Sequence, residues 1–284
     1  MARVCVVGSV NLDQSFTVGT LPARGETVLA SSLSSAPGGK GGNQAVAAAR
    51  AGATVQLVAA LGDDAAAVSL RAHLLGNGVG LDGTVTVPGP SGAAAIVVDA
   101  GAENTIVVAP GANAHLSMAS AHARRAVADA DVVLMQLEIP LAVALAAARV
   151  GREADALVML NASPAGADPS ELAVLAEAVD VVVVNEVEAG EWRWPVAHLV
   201  VTRGAAGASY RGGDTEFDVA APPVEPVDTT GAGDVFAGVL AAEWHRGPEV
   251  AIHRACAAGA LATLTAGAGD CAPTAEAVDD VLDG

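Results

Sequence analysis

Aromatic residues and lysine are scarce in this chain of 284 residues, and both shortages limit what the protein can be. Phe, Trp and Tyr make up 2% of the sequence, so its 52% of hydrophobic residues must build a core mainly from Ala, Val and Leu. Lys occurs once, at position 40, although Lys and Arg together number 14. The formal net charge of −18 argues against nucleic acid or an anionic membrane as a partner, because both would repel the chain.

Three cysteines are too few and too widely spaced for a disulfide framework. Cys5, Cys256 and Cys271 stand apart, and His253 lies near Cys256 without further ligands at zinc spacing. This usage is typical of a reducing cytosol, so we predict a cytoplasmic location. The N-terminus lacks the features of a signal peptide, and no apolar run reaches the ~18 residues that span a bilayer.

Short Val-rich runs alternate with Ala- and Leu-rich stretches of helical periodicity. Helices are predicted at 43–52 and 64–78. Continuous apolar strands that alternate with helices are typical of a parallel sheet covered on both faces, so we predict an α/β fold with a mainly parallel sheet. Its buried strands are predicted at 4–9, 54–61, 131–136, 157–160, 180–185 and 198–202.

Two stretches without helical patterns interrupt this alternation. Residues 11–36 contain FTVG and ETVLASS, and residues 84–108 contain TVTV, AAAIVVD and NTIVV, with turn residues between them. We predict that these strands form a small β-sheet that belongs to one domain spanning 1–284. Such a sheet can serve as a lid over a site.

Polar clusters follow several predicted strands, at the carboxyl ends where open α/β sheets bind ligands. Any strand can end in a polar turn, so each cluster alone is weak evidence for a site. Their coincidence at one edge of the sheet favours a binding site there. The clusters are Asn11 and Asp13 in NLD, Gln136 and Glu138 in QLE, Asn185 and Glu188 in NEVE, and Thr202, Gly204 and Gly207 in TRGAAG.

The single lysine lies in a glycine-rich loop, PGGKGGN. Four glycines around Lys40 and Asn43 let backbone and amide groups approach a ligand closely. The alternative is a flexible loop with Asn43 as the N-cap of the next helix. The loop is not a Walker A motif, because Gly follows Lys40, and GSVNLD lacks the glycine pattern of a dinucleotide-binding fold.

The segment DTTGAGDVFAGVLAA places Gly231, Ala232, Gly233 and Asp234 at the start of a predicted helix. The first N–H groups of a helix have no internal partner, so a phosphoryl group can approach them where no side chain intervenes. Asp234 would then be placed to take a hydroxyl proton as the base in phosphoryl transfer. The alternative from this segment alone is that Asp234 stabilises the helix dipole, by ~0.3–1 kcal/mol.

These motifs resemble signatures of the PfkB (ribokinase-like) family of sugar kinases. DTTGAGDVFAGVL is similar to the family's C-terminal signature, and PGGKGGNQAVAAARAGA, with GSVNLD and GETV before it, is similar to the N-terminal region of its ribose-phosphorylating members. Further matches follow in order along nearly the whole chain: AENTIVV, PGANAHLS, LMQLEIP, LNASPA, NEVEA and TRGAAG.

The resemblance implies an ATP-dependent kinase that phosphorylates ribose at its primary hydroxyl, giving ribose 5-phosphate. The base would be Asp234, and the backbone amides of Gly231, Ala232 and Gly233 would form an anion hole. The sugar would be held by Asn11, Asp13, Gly39, Lys40, Asn43, Glu138 and Asp234. ATP would be bound by Asn185, Glu188, Thr202, Gly204, Gly207 and Gly233, with Asn185 and Glu188 near the phosphates and Mg²⁺. The alternatives are a kinase of another sugar or a nucleoside, and a catalytically silent binding protein.

The resemblance also implies a monovalent cation, commonly K⁺, beside the anion hole. Asp228 and the backbone of Thr230 match one cation loop. The second loop, TAGAGDCAPT, is longer than the family's usual form, so Asp270 or Thr274 could supply its last ligand. Its candidate carbonyl ligands are those of Ala262, Thr265 and Gly267.

Two further features follow from the resemblance. The strands at 11–36 and 84–108 match a β-lid that forms a homodimer interface in the family. Between NEVEAGEWRWP and HLVVTRG the chain is short by roughly one helix, and Trp192 and Trp194 lie in the gap. The fold should tolerate this loss, whereas nucleotide affinity or stability would differ from those of the family.

Overall fold

The computed structural model of the chain describes residues 1–101 and 103–283. Its strands are β1 (Arg3–Val7), β2 (Asn11–Thr17), β3 (Ser32–Gly38), β4 (Thr54–Val58), β5 (Ala60–Leu61), β6 (Val85–Thr86), β7 (Gly92–Val98), β8 (Asn104–Ala109), β9 (Val132–Met135), β10 (Leu157–Asn161), β11 (Val181–Asn185), β12 (His198–Thr202), β13 (Ala208–Gly212) and β14 (Thr215–Val219). Its α-helices are α1 (Lys40–Arg50), α2 (Ala65–Gly76), α3 (Ala121–Ala128), α4 (Leu141–Glu153), α5 (Pro169–Ala176), α6 (Glu186–Glu191), α7 (Ala232–Glu243), α8 (Pro248–Ala262) and α9 (Ala275–Asp283).

The main sheet has eight strands in the order β14-β13-β12-β11-β10-β9-β1-β4. The strands from β12 to β4 run parallel, which confirms the predicted mainly parallel sheet. The β13–β14 hairpin extends the sheet in antiparallel pairing and was not predicted. Its sequences, ASYRG and TEFDV, lack the continuous apolar run by which the buried strands were recognised.

Helices cover both faces of the main sheet, as predicted. Successive side chains of a strand point to opposite faces, so Val4 and Val6 of β1 pack into one core cluster while Cys5 and Val7 pack into the other. The first cluster includes side chains from α1, α2, α7, α8 and α9, and the second includes side chains from α3, α4 and α5. In the described ranges, no helix is long and apolar enough to cross a membrane.

A separate sheet has the order β3-β2-β7-β8 and contains the predicted excursions, with two corrections. The partner of β2 is the Ser-rich segment Ser32–Gly38 and not ETVLASS, because pairing along the whole of β2 outweighs the weak strand preference of Ser, Pro and Gly. TVTV supplies β6, which pairs with β5 outside this sheet. Within AENTIVV, Ala102 lies outside the described residues.

Helix α1 begins at Lys40, three residues before its predicted start, and its N-cap is Gly39. The interpretation of Asn43 as an N-cap is therefore wrong, and Asn43 is buried within the helix. Gly39 has a φ of +85°, a conformation that glycine adopts without strain. A Cβ on Gly41 would lie 2.6 Å from the carbonyl carbon of Gly8, so glycine lets α1 approach the end of β1.

The shortened segment after α6 is filled by two tryptophans. The Trp192 indole packs against the second core cluster and donates a hydrogen bond from Nε1 to the Trp194 carbonyl, at 2.9 Å. The two rings meet edge to face, with centroids 5.1 Å apart. This pair closes the connection from α6 to β12 without an intervening helix.

Candidate active site

A polar cavity of about 150 Å³ lies where the glycine-rich loop, the strand ends and the start of α7 meet. It brings together residues that the sequence places far apart. The cavity is lined by Lys40, Asn161, Ser163, Val183, Val184, Asn185, Glu188, Thr202, Gly231, Gly233 and Asp234.

The start of α7 presents open backbone to this cavity. Gly231 is the N-cap and adopts a left-handed conformation, with a φ of +82°. A Cβ on Gly231 would lie 2.8 Å from Cα of Ala268, whereas a Cβ on Gly233 would have no atom within 4 Å. The first-turn amides of α7 therefore lie beside open space, where an anion can reach them.

Asp234 is buried in the first turn of α7 and is held by amide donors from α1. One carboxylate oxygen accepts a hydrogen bond from Asn43 Nδ2 and the other accepts one from Gln44 Nε2, each at 3.0 Å. These bonds fix the plane of the carboxylate toward the cavity. A side chain 7% exposed and held by a second helix differs from a solvated acid whose only role is to stabilise a helix dipole.

Glu138 joins the glycine-rich loop to the end of β1. Its Oε2 accepts a hydrogen bond from Ser9 Oγ at 2.5 Å and another from the Lys40 backbone N–H at 3.2 Å. Burial opposes the charge of the Lys40 ammonium, but the carboxylates of Asp234, Glu138 and Glu188 outweigh it and raise the pKa of Lys40. Lys40 is therefore a cation among carboxylates, suited to bind oxygen atoms of a ligand.

Asn11 and Asp13 lie on strand β2 and are not among the residues that line the cavity, although Asp13 is close enough to Glu138 and Asp234 to be affected by their charges. Asn11 Oδ1 accepts a hydrogen bond from Asn113 Nδ2 at 2.8 Å, which fixes its orientation. Asp13 Oδ1 is buried and has no hydrogen-bond partner among the residues that the structure describes. Burial, with the nearby charges of Glu138 and Asp234, raises the pKa of Asp13 to about 7. A buried carboxylate oxygen without a partner is a favourable acceptor for a ligand hydroxyl.

Asn185 and Glu188 form a capping box at the start of α6. Asn185 Oδ1 accepts from the Glu188 N–H at 2.8 Å, and Glu188 Oε2 accepts from the Asn185 N–H at 2.9 Å. Nearby, Thr202 Oγ1 donates to the Val184 carbonyl at 3.3 Å. These residues line the cavity and at the same time stabilise the local backbone.

The glycines after Thr202 shape a tight turn and are not among the residues that line this cavity. Gly204 and Gly207 have φ values of +54° and +91°. The Arg203 N–H donates to the Gly207 carbonyl at 2.7 Å, and a Cβ on Gly207 would lie 2.0 Å from the Val219 carbonyl oxygen. Glycine is therefore required at 207 for packing against β14.

Asp228 connects the two predicted cation loops. Its carboxylate accepts hydrogen bonds from the N–H groups of Thr230 at 2.8 Å and Gly267 at 2.9 Å. Burial alone would raise the pKa of Asp228, but the bonds from Thr230 and Gly267 outweigh it and lower that pKa. Among the other candidates, the Ala262 carbonyl accepts from the Thr265 N–H at 3.2 Å.

The second loop is anchored by Arg50 at the end of α1. Arg50 Nη1 donates to the carbonyls of Asp270 at 2.9 Å and Ala272 at 2.7 Å, and Nη2 donates to Asp270 Oδ1 at 3.3 Å. Thr274 Oγ1 accepts from the Ala277 N–H at 3.3 Å, at the start of α9. Asp270 and Thr274, the two candidates for the last cation ligand, therefore already form hydrogen bonds within the protein. Over the described ranges, no three His, Cys, Asp or Glu side chains gather as a metal site.

Residues 1–275 match the model of the pfkB family carbohydrate kinases. The chain belongs to this family. It is 36% identical to the ribokinase of Bacillus subtilis over 99% of this chain and 100% of that protein. Two solved pfkB-like neighbours are the ribokinase of Thermotoga maritima (TM-score 0.90, 29% identity, 100% of both chains) and that of Arabidopsis thaliana complexed with ribose and ATP (TM-score 0.90, 28% identity, 100% of this chain and 99% of that chain).

Several polar residues around this site had no individual role predicted from the sequence, and Gln136 stood only in a polar cluster at a strand end. All of them except the half-buried Arg50 are buried in the fold. Their partners come from distant parts of the chain, so only the fold reveals them. These residues are Ser9, Gln44, Arg50, Asn113, Gln136 and Asn161.

Proposed function

We propose that this protein catalyses the ATP-dependent phosphorylation of D-ribose at O5, giving D-ribose 5-phosphate. The observation that carries the proposal is the buried carboxylate of Asp234 in the first turn of α7, which lines one cavity together with Lys40 and the unobstructed position of Gly233. Full-length similarity to ribokinases supports ribose as the substrate.

The proposed sugar subsite combines acceptors and donors that suit vicinal hydroxyl groups. Asn11 and Asp13 come from the small sheet, Gly39, Lys40 and Asn43 from the start of α1, and Glu138 from the segment after β9. Carboxylates accept from hydroxyls, whereas the Asn amides and the Lys ammonium also donate to them. The small sheet carries Asn11 and Asp13 near one end of β2, and its edge strand β8 is exposed. This arrangement supports its proposed role as a lid over the subsite.

The proposed chemistry is in-line phosphoryl transfer. Asp234 takes the proton from O5 as the oxygen forms a bond to the γ-phosphorus, and the bond from that phosphorus to the bridging oxygen of ADP breaks. The backbone amides of Gly231, Ala232 and Gly233 stabilise the negative charge on the transferred group. Thr202, which lines the cavity, would face the nucleotide, and the turn of Gly204 and Gly207 would border the nucleotide outside the cavity.

The residues present fit a Mg²⁺ ion that is held mainly by nucleotide phosphates. Asn185 and Glu188 would contact it directly or through water, since Mg²⁺ commonly uses one or two carboxylates together with phosphate oxygens. The bound ion would neutralise charge on the phosphates. Glu188, 8% exposed, supplies the carboxylate at this edge of the cavity.

The loops beside Asp228 fit a monovalent cation such as K⁺. The lowered pKa keeps Asp228 ionised at neutral pH, and the neighbouring candidate ligands are the carbonyl oxygens of Thr230, Ala262, Thr265 and Gly267. Oxygen donors of this type suit a hard cation. By holding Asp228 and the 265–274 loop together, the ion would stabilise the backbone behind Gly231.

We also propose a homodimer formed through the small sheet and a cytoplasmic location. The edge strands β3 and β8 carry exposed apolar side chains, among them Leu33 and Val107, which a second copy would cover. All three cysteines are buried as free thiols, which supports a reducing compartment.

The direct test is ADP release by the purified protein with Mg·ATP and a panel of sugars, with and without K⁺. We expect the highest kcat/KM with ribose and a lower rate when tetramethylammonium replaces K⁺. A clear preference for fructose, 2-deoxyribose or a nucleoside would overturn ribose as the substrate but not the kinase. Sugar binding without any ADP release would instead favour a silent binding protein.

Ribose binding should strengthen as the pH rises through about 7, the pKa of Asp13. The protonated carboxyl predominates below this value, and the ionised form, which accepts hydroxyl hydrogen bonds at both oxygens, predominates above it. We expect kcat/KM for ribose to rise up to about tenfold between pH 6 and pH 8. In Asp13→Asn this rise should be lost, and an unchanged profile in the variant would contradict the role of Asp13.

Thermal unfolding provides an independent check on Asp13. Because its folded-state pKa lies above the ordinary aspartate value of 3.8, ionisation of Asp13 destabilises the folded protein. This destabilisation is absent below about pH 4, grows as the pH rises to about 7 and is complete above it. Asp13→Asn should therefore raise Tm relative to the wild type at pH 8 but not at pH 4.

A further inference from the structure

Gln44 occupies the centre of a buried polar network that ends on Asp234. Its side chain is 0% exposed. Gln44 Nε2 donates to Asp234 Oδ1 at 3.0 Å and to Asn161 Oδ1 at 3.1 Å, while Gln44 Oε1 accepts from Gln136 Nε2 at 2.6 Å. Both ends of this one amide are therefore used, and its rotamer is fixed by three partners.

The network is anchored to the main sheet on two strands. Gln136 follows β9, and Asn161, the last residue of β10, donates from Nδ2 to the Val183 carbonyl of β11 at 3.2 Å. The helix that carries Gln44 packs closely on α7. A Cβ on Gly238 of α7 would lie only 2.4 Å from the Gln44 carbonyl oxygen, so glycine at position 238 allows this close approach. The backbone at Gln44 thus has as little freedom as its side chain.

We propose that Gln44 is a positioning residue for phosphoryl transfer, which orients the carboxylate of Asp234 and transmits the rigidity of the sheet to it. This inference rests on the proposed function and extends it to a fully buried residue that is not among those lining the cavity. Asn43 holds the other oxygen of Asp234 but also lies at the sugar subsite, so only Gln44 is dedicated to orientation.

Gln44→Met removes the amide and keeps the length of the side chain. We expect kcat to fall about 10- to 100-fold, because a small misplacement of a reacting group costs up to about this much. KM for ribose should stay within about threefold of the wild type, since the sugar contacts are intact. The matched control is Gln136→Met, which removes a contact to Gln44 but none to Asp234, and which should lower kcat less.

Gln44→Glu tests through the pH profile whether the side chain at position 44 contacts Asp234 in the working enzyme. It places a second carboxyl about 3.0 Å from Asp234 Oδ1, where two carboxylates cannot both ionise freely. At saturating ribose, the acidic limb of kcat should move to higher pH by about one unit or more. A profile that coincides with that of the wild type would overturn the proposal.

A double-variant cycle tests whether Gln44 acts on turnover through Asp234, even if Gln44→Glu does not fold. If Gln44 acts through Asp234, adding Gln44→Met to Asp234→Asn should change the remaining turnover by less than about threefold. A multiplicative loss, or a Gln44→Met variant with reduced Tm but wild-type kcat, would show that Gln44 only stabilises the fold. Absence of ribose-dependent ADP release in the wild type would instead refute the proposed function. An Asp234→Asn variant with wild-type activity would refute the assignment of Asp234 as the general base.

Discussion

Asp234→Asn should lower kcat for ribose phosphorylation by about 10²–10⁴-fold, because general-base assistance contributes this much to proton transfer. The variant keeps the shape of the side chain and an oxygen that can accept from Asn43 or Gln44, so the fold should be retained. Ribose affinity measured by calorimetry should change far less than kcat. The decisive comparison is single-turnover ADP formation in the wild type and the variant.

The control for this experiment is Asp129→Asn, which alters an exposed carboxylate paired with Arg125 on the surface. We expect its kcat to match that of the wild type. If Asp234→Asn retained turnover within about threefold of the control, Asp234 would not be the base. In that case its buried amide contacts would serve only to join α1 to α7.

Arg254→Met should reduce the free energy of unfolding by about 3 kcal/mol, the lower end of the range for breaking a buried ion pair. Arg254 Nε lies 3.2 Å from Glu243 Oε1, and these side chains are 9% and 8% exposed. Arg254 also pairs with Asp279, so it joins α7, α8 and α9. The loss should stay at the lower end because Arg246 still contacts the other oxygen of Glu243, at 3.1 Å.

The measurement is thermal or urea unfolding of Arg254→Met, compared with a control variant that breaks an exposed ion pair. For a chain of this size, 3 kcal/mol corresponds to a Tm decrease of roughly 5 °C. The control Arg125→Met removes an exposed i,i+4 pair with Asp129 and should change stability by about 0.5 kcal/mol or less. Equal shifts for the two variants would mean that burial of the Arg254 pair contributes nothing to stability.

The parallel core of the fold was predictable because burial on both faces leaves a direct trace in the sequence. The apolar run at β11, VVVVN, can be recognised without any knowledge of its neighbours. By contrast, β3 is a Ser-rich segment that becomes a strand only by pairing with β2, and β14 alternates polar and apolar residues at a sheet edge. Strands defined by pairing rather than by burial were therefore missed or misplaced.

The site shows the same division between local and long-range information. The glycine pattern before α7 was readable because it reflects a local requirement, open amides at a helix start, which Gly231 and Gly233 meet in the fold. Gln44 and Asn161 gave no such signal. Their hydrogen bonds join residues 117 and 190 positions apart, and no local pattern encodes such a partnership.

The sequence by itself determined the fold class, the position of the glycines at the start of α7 and, through whole-chain resemblance, the kinase family. It could not distinguish Asp234 as a poised carboxylate from Asp234 as an acid at a helix dipole, because both occur in the same local sequence. Tertiary structure separated them by burying Asp234 against Asn43 and Gln44 of α1. The physical reason is that the environment of a carboxylate depends on donors brought by folding, not on its neighbours in the chain.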